Sequence, residues 1–198
     1  TPDSAYGYVT HAITVGPVRH DYAQADAWGD LALAVNTLFD DRRHRAKVHQ
    51  QLHAHVKLWT RPFEVCVRHA REARRCGLEA GDYAYAGYGA ATESWPAWMI
   101  NADLEQFWRD HAPHLDLLEQ LGMSGFRDGL RMMLQWSRAL AGRTDGPTSL
   151  SSPDFDEAMY VERYGATAPL FMVIYHTARL HLGVVLDEPA MAADATRA

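Results

Sequence analysis

Apolar residues in this chain recur at steps of three and four, and the alternation of a half-buried strand is nearly absent. Trp28, Leu31, Val35 and Leu38 follow the helical step, and Ala25, Gly29 and Ala32 make a second stripe of small residues beside them. Leu104, Phe107, His111, Leu115 and Leu118 repeat the pattern, with Pro113 as a kink. Phe126, Leu130, Met133, Ser137 and Leu140 repeat it again. Leu170, Val173, Thr177 and Leu180 do so once more, with Pro169 suited to a first helical turn. A period near 3.6 buries one face of a helix, so the chain is expected to be all-α. Asp145-Gly146 is a turn dipeptide, but it sits in a polar stretch and not between strands.

The breaks between these segments are short: Gly16-Pro17, Arg61-Pro62, Gly81-Asp82, Pro96 and Gly122. Only "GRTDGPTSLSSPDFD", from Gly142 to Asp156, has the composition of a long loop. Nine or ten helices joined by tight turns are expected. Three stretches share a form in which an apolar helix meets a short polar turn and then an Ala-rich helix. They start at Tyr8, at Ala70 and at His176. Helix hairpins that stack on their neighbours have this signature, so the expected architecture is tetratricopeptide-like stacked helix hairpins in a right-handed superhelix.

The stretch "RCGLEAGDYAYAGYGAA", Arg75 to Ala91, tests that expectation. Gly87-Tyr88-Gly89 half-matches a dinucleotide fingerprint, but it lacks the third glycine and the preceding strand. An elbow between helices accounts for more. Gly81 ends one helix, Asp82 caps the next, and Ala84, Gly87 and Ala91 form a small-residue stripe. Tyr85 and Tyr88 then fill gaps on neighbouring helices.

With 47% apolar and 11% aromatic residues, six of them tryptophan, the chain can build a packed core. Its apolar runs are too short to span a bilayer, and the N-terminus has neither the basic flank nor the apolar stretch of a signal peptide. It starts without Met, which is expected of a fragment of a longer chain. Cys66 and Cys76 on one helix would lie about 15 Å apart, too far for a disulfide. Buried thiols point to a reducing compartment, hence the cytoplasm. The net charge is −6, unevenly spread. From Arg42 to Arg75 ten Lys or Arg face two acids, a net +8, while the remainder carries nine against twenty-three, a net −14. Such a stretch faces an acidic partner, an acidic neighbour in the same protein, or solvent.

Neither lysine, Lys47 nor Lys57, lies in a P-loop, and HRD, DFG, GxSxG and HExxH motifs are missing from the sequence. No catalytic residue and no cofactor is therefore assigned. "HRAKVHQQLHAH" holds His44, His49, His53 and His55, and His49 and His53 share a helix face at i, i+4. With His69 from the next helix they form the alternative metal set of an all-helical metalloenzyme or sensor. The ordinary alternative is surface or half-buried imidazoles. "CVRHAREARR" puts Arg68, Arg71 and Arg75 on one face, suited to an acidic protein surface, to internal ion pairs or to solvent. The acidic overall balance argues against nucleic acid. Tyr85, Tyr88, Trp95 and Trp98 are the aromatic candidates for a partner-binding inner face, because Trp, Tyr and Arg dominate binding hot spots. A pocket around Trp95 and Trp98 would instead suit a small-molecule sensor.

"WTRPFEVCVRHAREARRCGLEAGDYAYAGYGA" resembles a segment of very large multidomain signalling proteins. The matching positions are Trp59, Pro62, Ala73, Gly77, Leu78, Gly81, Asp82, Tyr85, Ala86 and Tyr88. "LQWSRALAGRT" with "SSPDFDEAMY", and then "PLFMVIYHTARLHLGVVLDEPAMA", are similar to later parts of the same region. The order and spacing agree from about Ser4 to Ala193. Leu58 stands where the family often has His, and Leu186-Asp187-Glu188-Pro189 where it has Gly-Asp-Tyr. Those proteins carry a kinase-like domain, a STAND-like ATPase and a long tetratricopeptide-like region, often followed by GAF and sensor histidine kinase domains. The resemblance implies one helical-repeat domain over residues 1–198, without chemistry of its own. It implies a protein-interaction or regulatory module of a cytoplasmic signalling ATPase or kinase. Its partner would be protein, either other domains of the same chain or a signalling protein, and not membrane.

Overall fold

The computed structural model describes residues 1–101 and 103–197. Among them the regular structure is helical, and the nearest thing to a strand is an isolated bridge between Ser152 and Phe155. The α-helices are α1 (Ser4–Ile13), α2 (Tyr22–Leu38), α3 (Arg42–Gln51), α4 (Phe63–Ala80), α5 (Tyr83–Thr92) and α6 (Ser94–Ile100). They continue as α7 (Leu104–His111), α8 (Pro113–Gln120), α9 (Ser124–Leu140), α10 (Glu157–Tyr164), α11 (Pro169–Val185) and α12 (Pro189–Arg197). Glu93 alone separates α5 from α6, and Ala112 alone separates α7 from α8. Counting each kinked pair as one rod gives ten helices among the described residues. The kink at Pro113 and the loop from Gly142 to Asp156 fall where the sequence puts them.

The helix starts are written in aspartate. Asp21, Asp41, Asp82, Asp103 and Asp156 each accept a hydrogen bond from an amide in the first turn of the helix that follows. A short carboxylate there satisfies an otherwise orphaned donor and sits at the positive end of the helix dipole.

One turn recurs three times. Between α4 and α5, Gly81 adopts the left-handed conformation (φ 73°) and the Asp82 amide donates to the Gly77 carbonyl at 2.8 Å. Between α11 and α12, Asp187 takes that conformation (φ 57°) and the Glu188 amide donates to the Gly183 carbonyl, also at 2.8 Å. This closure of a helix C-terminus satisfies a carbonyl and reverses the chain. Between α1 and α2 a π-helical turn, Thr14–Val18, widens the pattern. There His20 is left-handed (φ 59°), and the Asp21 amide donates to the Val15 carbonyl at 3.1 Å. In each case a glycine four residues before the left-handed position packs against an alanine five residues after it. The pairs are Gly16 with Ala25, Gly77 with Ala86 and Gly183 with Ala192. The three stretches that look alike in sequence thus share a turn, although only the α4–α5 turn contains Gly-Asp.

The described chain divides into two compact units. The first comprises Thr1–Ile100 and Asp116–Phe126, and the second Asn101–Leu115 and Arg127–Ala198. In the first, α1 packs along α2, α3 along α4 and α4 along α5, while α1 also touches α3, and α3 touches α5. Its core includes Ala5, Val9, Ala12, Ala25, Ala32, Val48 and Leu52. In the second unit α11 packs on α12 and α10. Helix α9 is buried at ten positions from Asp128 to Ala139. Cys66 and Cys76 are buried free thiols on α4.

Three stripes turn differently from expectation. On α2 the small residues Ala25, Gly29 and Ala32, extended to Asn36, form the core face, while Leu31 and Leu38 are exposed. On α5 Ala84 is exposed, and Ala86, Gly87, Gly89, Ala90 and Ala91 are buried. On α11 Leu170 and Val173 are exposed, and Ile174, Ala178 and Leu182 are buried. On α2 and α5 the face of small residues admits a neighbouring backbone most closely, so packing contacts favour it over bulk apolarity. On α11, which is apolar on more than one face, the buried side mixes large and small residues, Ile174, Ala178, Leu182 and Gly183.

Candidate functional site

The basic stretch from Arg42 to Arg75 is largely neutralised within the protein. Eight of its ten bases meet an acidic side chain. Arg71 Nε donates to Glu93 at 2.7 Å, and Arg74 lies 3.6 Å from the same buried carboxylate, which sits at the joint between α5 and α6. Arg75 is clamped by Glu72 at 2.6 Å and Glu79 at 2.7 Å on its own helix. Arg68 is exposed. All three arginines are exposed, and they differ in their pairing. Two are engaged by carboxylates and one faces solvent.

The aromatic candidates also separate. Tyr85 Oη lies 3.4 Å from Tyr6 Oη, with Lys47 over its ring at 5.6 Å. Burial and the Tyr6 hydroxyl push the Tyr85 phenol up to about 12. Tyr88 packs edge-on against Tyr85 and tilted against Phe126. Both tyrosines are half-buried gap fillers. Trp95 is exposed at the mouth of a hollow, and Trp98, half-buried, is not among its walls.

Of the candidate metal-binding histidines, His49 and His69 meet, while His53 turns to Thr92. His49 Nδ1 and His69 Nδ1 lie 2.8 Å apart, linking α3 to α4. The α-helical register of α3 stops at Gln51 and gives way to a π-helical turn, Leu52–Val56, so His53 is presented differently. Its Nε2 is 3.0 Å from Thr92 Oγ1. That hydroxyl donates to the Tyr88 carbonyl at 2.7 Å and accepts from Gln50 Nε2 at 3.2 Å. Its one proton is spent, so His53 must be the donor, neutral and protonated on Nε2, with Nδ1 bare and buried. Burial, and the charge His69 would carry, push the His53 pKa down to about 4. Burial does the same to His49 and His69, each to about 4. Among the described residues no group of three or more His, Cys, Asp or Glu side chains is placed to hold a metal ion.

The hollow itself lies within the first unit and measures about 360 Å³. The π-helical turn supplies His53 and Ala54, and the 3₁₀ turn after it supplies Leu58. Helix α4 adds Phe63 and Cys66, α5 ends on Thr92, and α6 closes the far side with Trp95, Pro96 and Met99. An inserted residue that breaks the α-register is a frequent device for re-aiming side chains at functional sites. Hydrophobic periodicity does not register such an insertion, which is why Trp95 was foreseeable from sequence and the other walls were not.

A second surface feature belongs to α2. Its core face is the small stripe, and on the opposite side Ala27, Leu31, Ala34 and Leu38 are all exposed. Their spacing, i, i+4, i+7 and i+11, is that of the seam between two packed helices. No helix among the described residues is long and apolar enough to cross a membrane. No protein-family model, no curated protein and no solved structure matches the chain.

Proposed function

We propose that this chain is a non-catalytic helical-repeat module that binds protein. In this reading it is a tetratricopeptide-like stack of helix hairpins within a cytoplasmic signalling ATPase or kinase of the kind its sequence resembles. The single observation that carries the reading is the open seam on α2. Leu31 and Leu38, 42% and 77% exposed, lie in line with Ala27 and Ala34 on a helix whose other face is already buried. Covering a leucine contributes about 1.5–3 kcal/mol, so a partner helix laid along the seam gains from both. The recurring glycine–alanine turn and the run of α1, α3 and α5 side by side support the stacked-hairpin part of the reading.

The test is direct binding. The 198-residue chain is titrated calorimetrically against purified kinase-like and ATPase domains from a signalling protein of that architecture, with sedimentation to detect self-association. Saturable binding that weakens at least tenfold in Leu31→Asp/Leu38→Asp, with the helical content of the variant unchanged, supports the reading. Binding that ignores the double substitution, or no binding to either domain, overturns it.

A further inference from the structure

The hollow between the π-helical turn, α4 and α6 has no assigned occupant in the reading above. Its walls contain no Asp, Glu, Lys or Arg side chain. Besides the indole N–H of Trp95, its polar side chains are His53 and Thr92, which are already engaged with each other. Thr92 Oγ1 spends its proton on the Tyr88 carbonyl and both acceptor positions on Gln50 and His53. His53 spends its only proton on Thr92, and its Nδ1 is shut away from solvent. A water molecule in such a space finds few of the two to four partners it needs, and an anion finds no cation. Apolar walls meet there instead: Leu58, Phe63, Cys66, Trp95, Pro96 and Met99.

The geometry points to a binding site for an uncharged, largely apolar small molecule, an aromatic of about two fused rings, seated between Phe63 and Trp95 with Met99 over it. The size follows from volume. An apolar cavity of about 150 Å³ accommodates benzene, and this one, at about 360 Å³, has room for roughly twice as much. Small-molecule sites start near 300 Å³ and are lined mainly by apolar and aromatic side chains. Cys66 lies along the wall and is itself fully buried. Met99 is 62% exposed on the last turn of α6, where an unbranched side chain can swing to admit and then cover a ligand.

The probes are 2-naphthol and indole, with 2-naphthoate as the charged comparator, titrated into the full chain by calorimetry. Methyl NMR shifts of Ala54 and Met99 are followed in the unaltered protein. Expected are dissociation constants of roughly 10–100 μM for at least one neutral probe. The melting temperature should rise with its concentration. Shifts should be confined to the Ala54 and Met99 region, and 2-naphthoate should bind at least tenfold more weakly. Ala54→Phe, which places a ring in the space from a partly exposed position, should abolish binding. Absence of heat and of methyl shifts with both neutral probes at 1 mM overturns the assignment. So do shifts elsewhere in the protein, undiminished binding in Ala54→Phe, or equal affinity for 2-naphthoate. The methyl shifts decide the matter even where Ala54→Phe does not fold.

Discussion

Gly77 on α4 and Ala86 on α5 approach so closely that a Cβ on residue 77 would stand 2.7 Å from the Ala86 amide nitrogen. The obstacle is backbone, which cannot swing away as a side chain can. Alanine is the better helix former by about 1 kcal/mol, so the contact must outweigh that preference. Gly77→Ala is expected to destabilise the protein by about 1–3 kcal/mol, the usual cost of overpacking. Gly7→Ala is the opposite case. Residue 7 lies on the exposed side of α1 with nothing within 4 Å of the added Cβ, so the same change should stabilise by up to about 1 kcal/mol. Urea unfolding of the two variants checks the pair, and equal signs would refute the close-contact account.

The buried imidazoles make stability depend on pH. His49, His53 and His69 have folded-state pKa values near 4, lowered from 6.5 chiefly by burial. The unfolded chain takes up protons near pH 6.5, where the folded chain does not. The unfolded state therefore binds more protons between about pH 6.5 and 4. Stability is complete above that window and is lost as pH falls through it, with each histidine contributing a slope of at most about 1.4 kcal/mol per pH unit. Urea midpoints at pH 7, 6 and 5 should fall in that order, and His53→Gln should flatten the decline. A stability independent of pH over this range would contradict the neutral assignment.

Lys57 holds α2 against the turn that follows α3. Its ammonium, almost wholly buried, reaches Asp26 at 2.8 Å and Asp30 at 2.5 Å. Thr60 and Arg61 also bind Asp26. Removing one partner of a buried ion pair leaves the other charge poorly compensated, at a cost of about 3–5 kcal/mol. Because Thr60 and Arg61 remain, Lys57→Met is expected at the low end, about 3 kcal/mol. Lys57→Met in the background of Asp26→Asn should cost less than in the original chain. A double-mutant cycle in urea measures the difference, and additive costs would mean that the two groups do not couple.

How much of this was legible in the sequence depends on what each residue competes with. The helices, the Pro113 kink and the Gly81-Asp82 turn were legible, because each rests on local backbone chemistry. So was the small stripe of α2, but the exposure of Leu31 on α2 and of Leu170 on α11 was not. Both leucines are more apolar than Ala32 or Ala178, yet the alanines lie on the faces that neighbouring helices cover. That cover exists only once the neighbour is present. The fate of Arg71 turns on Glu93, twenty-two residues away and brought near by the elbow. The π-helical turn that redirects His53 leaves no trace in hydrophobic period, so its hollow was visible only through Trp95 at the mouth.

Tyr164 and Asp128 offer the last test. The phenol donates to Asp128 Oδ2 at 2.5 Å, and Arg163 lies 3.2 Å from the same oxygen. Burial, and then the carboxylate, push the Tyr164 pKa up to about 12 from 10. A raised folded-state value means that the stabilisation is full below pH 10 and is lost as pH rises through about 12, because the unfolded chain ionises first. Absorbance titration should show Tyr164 ionising late, together with Tyr85 and Tyr175, each also near 12. Tyr164→Phe should remove one late-titrating group. It should also destabilise the second unit by about 1–3 kcal/mol, since the hydrogen bond is to a buried charge. If the variant loses an early-titrating tyrosine instead, with unchanged stability, Tyr164 faces solvent and the bond to Asp128 does not form.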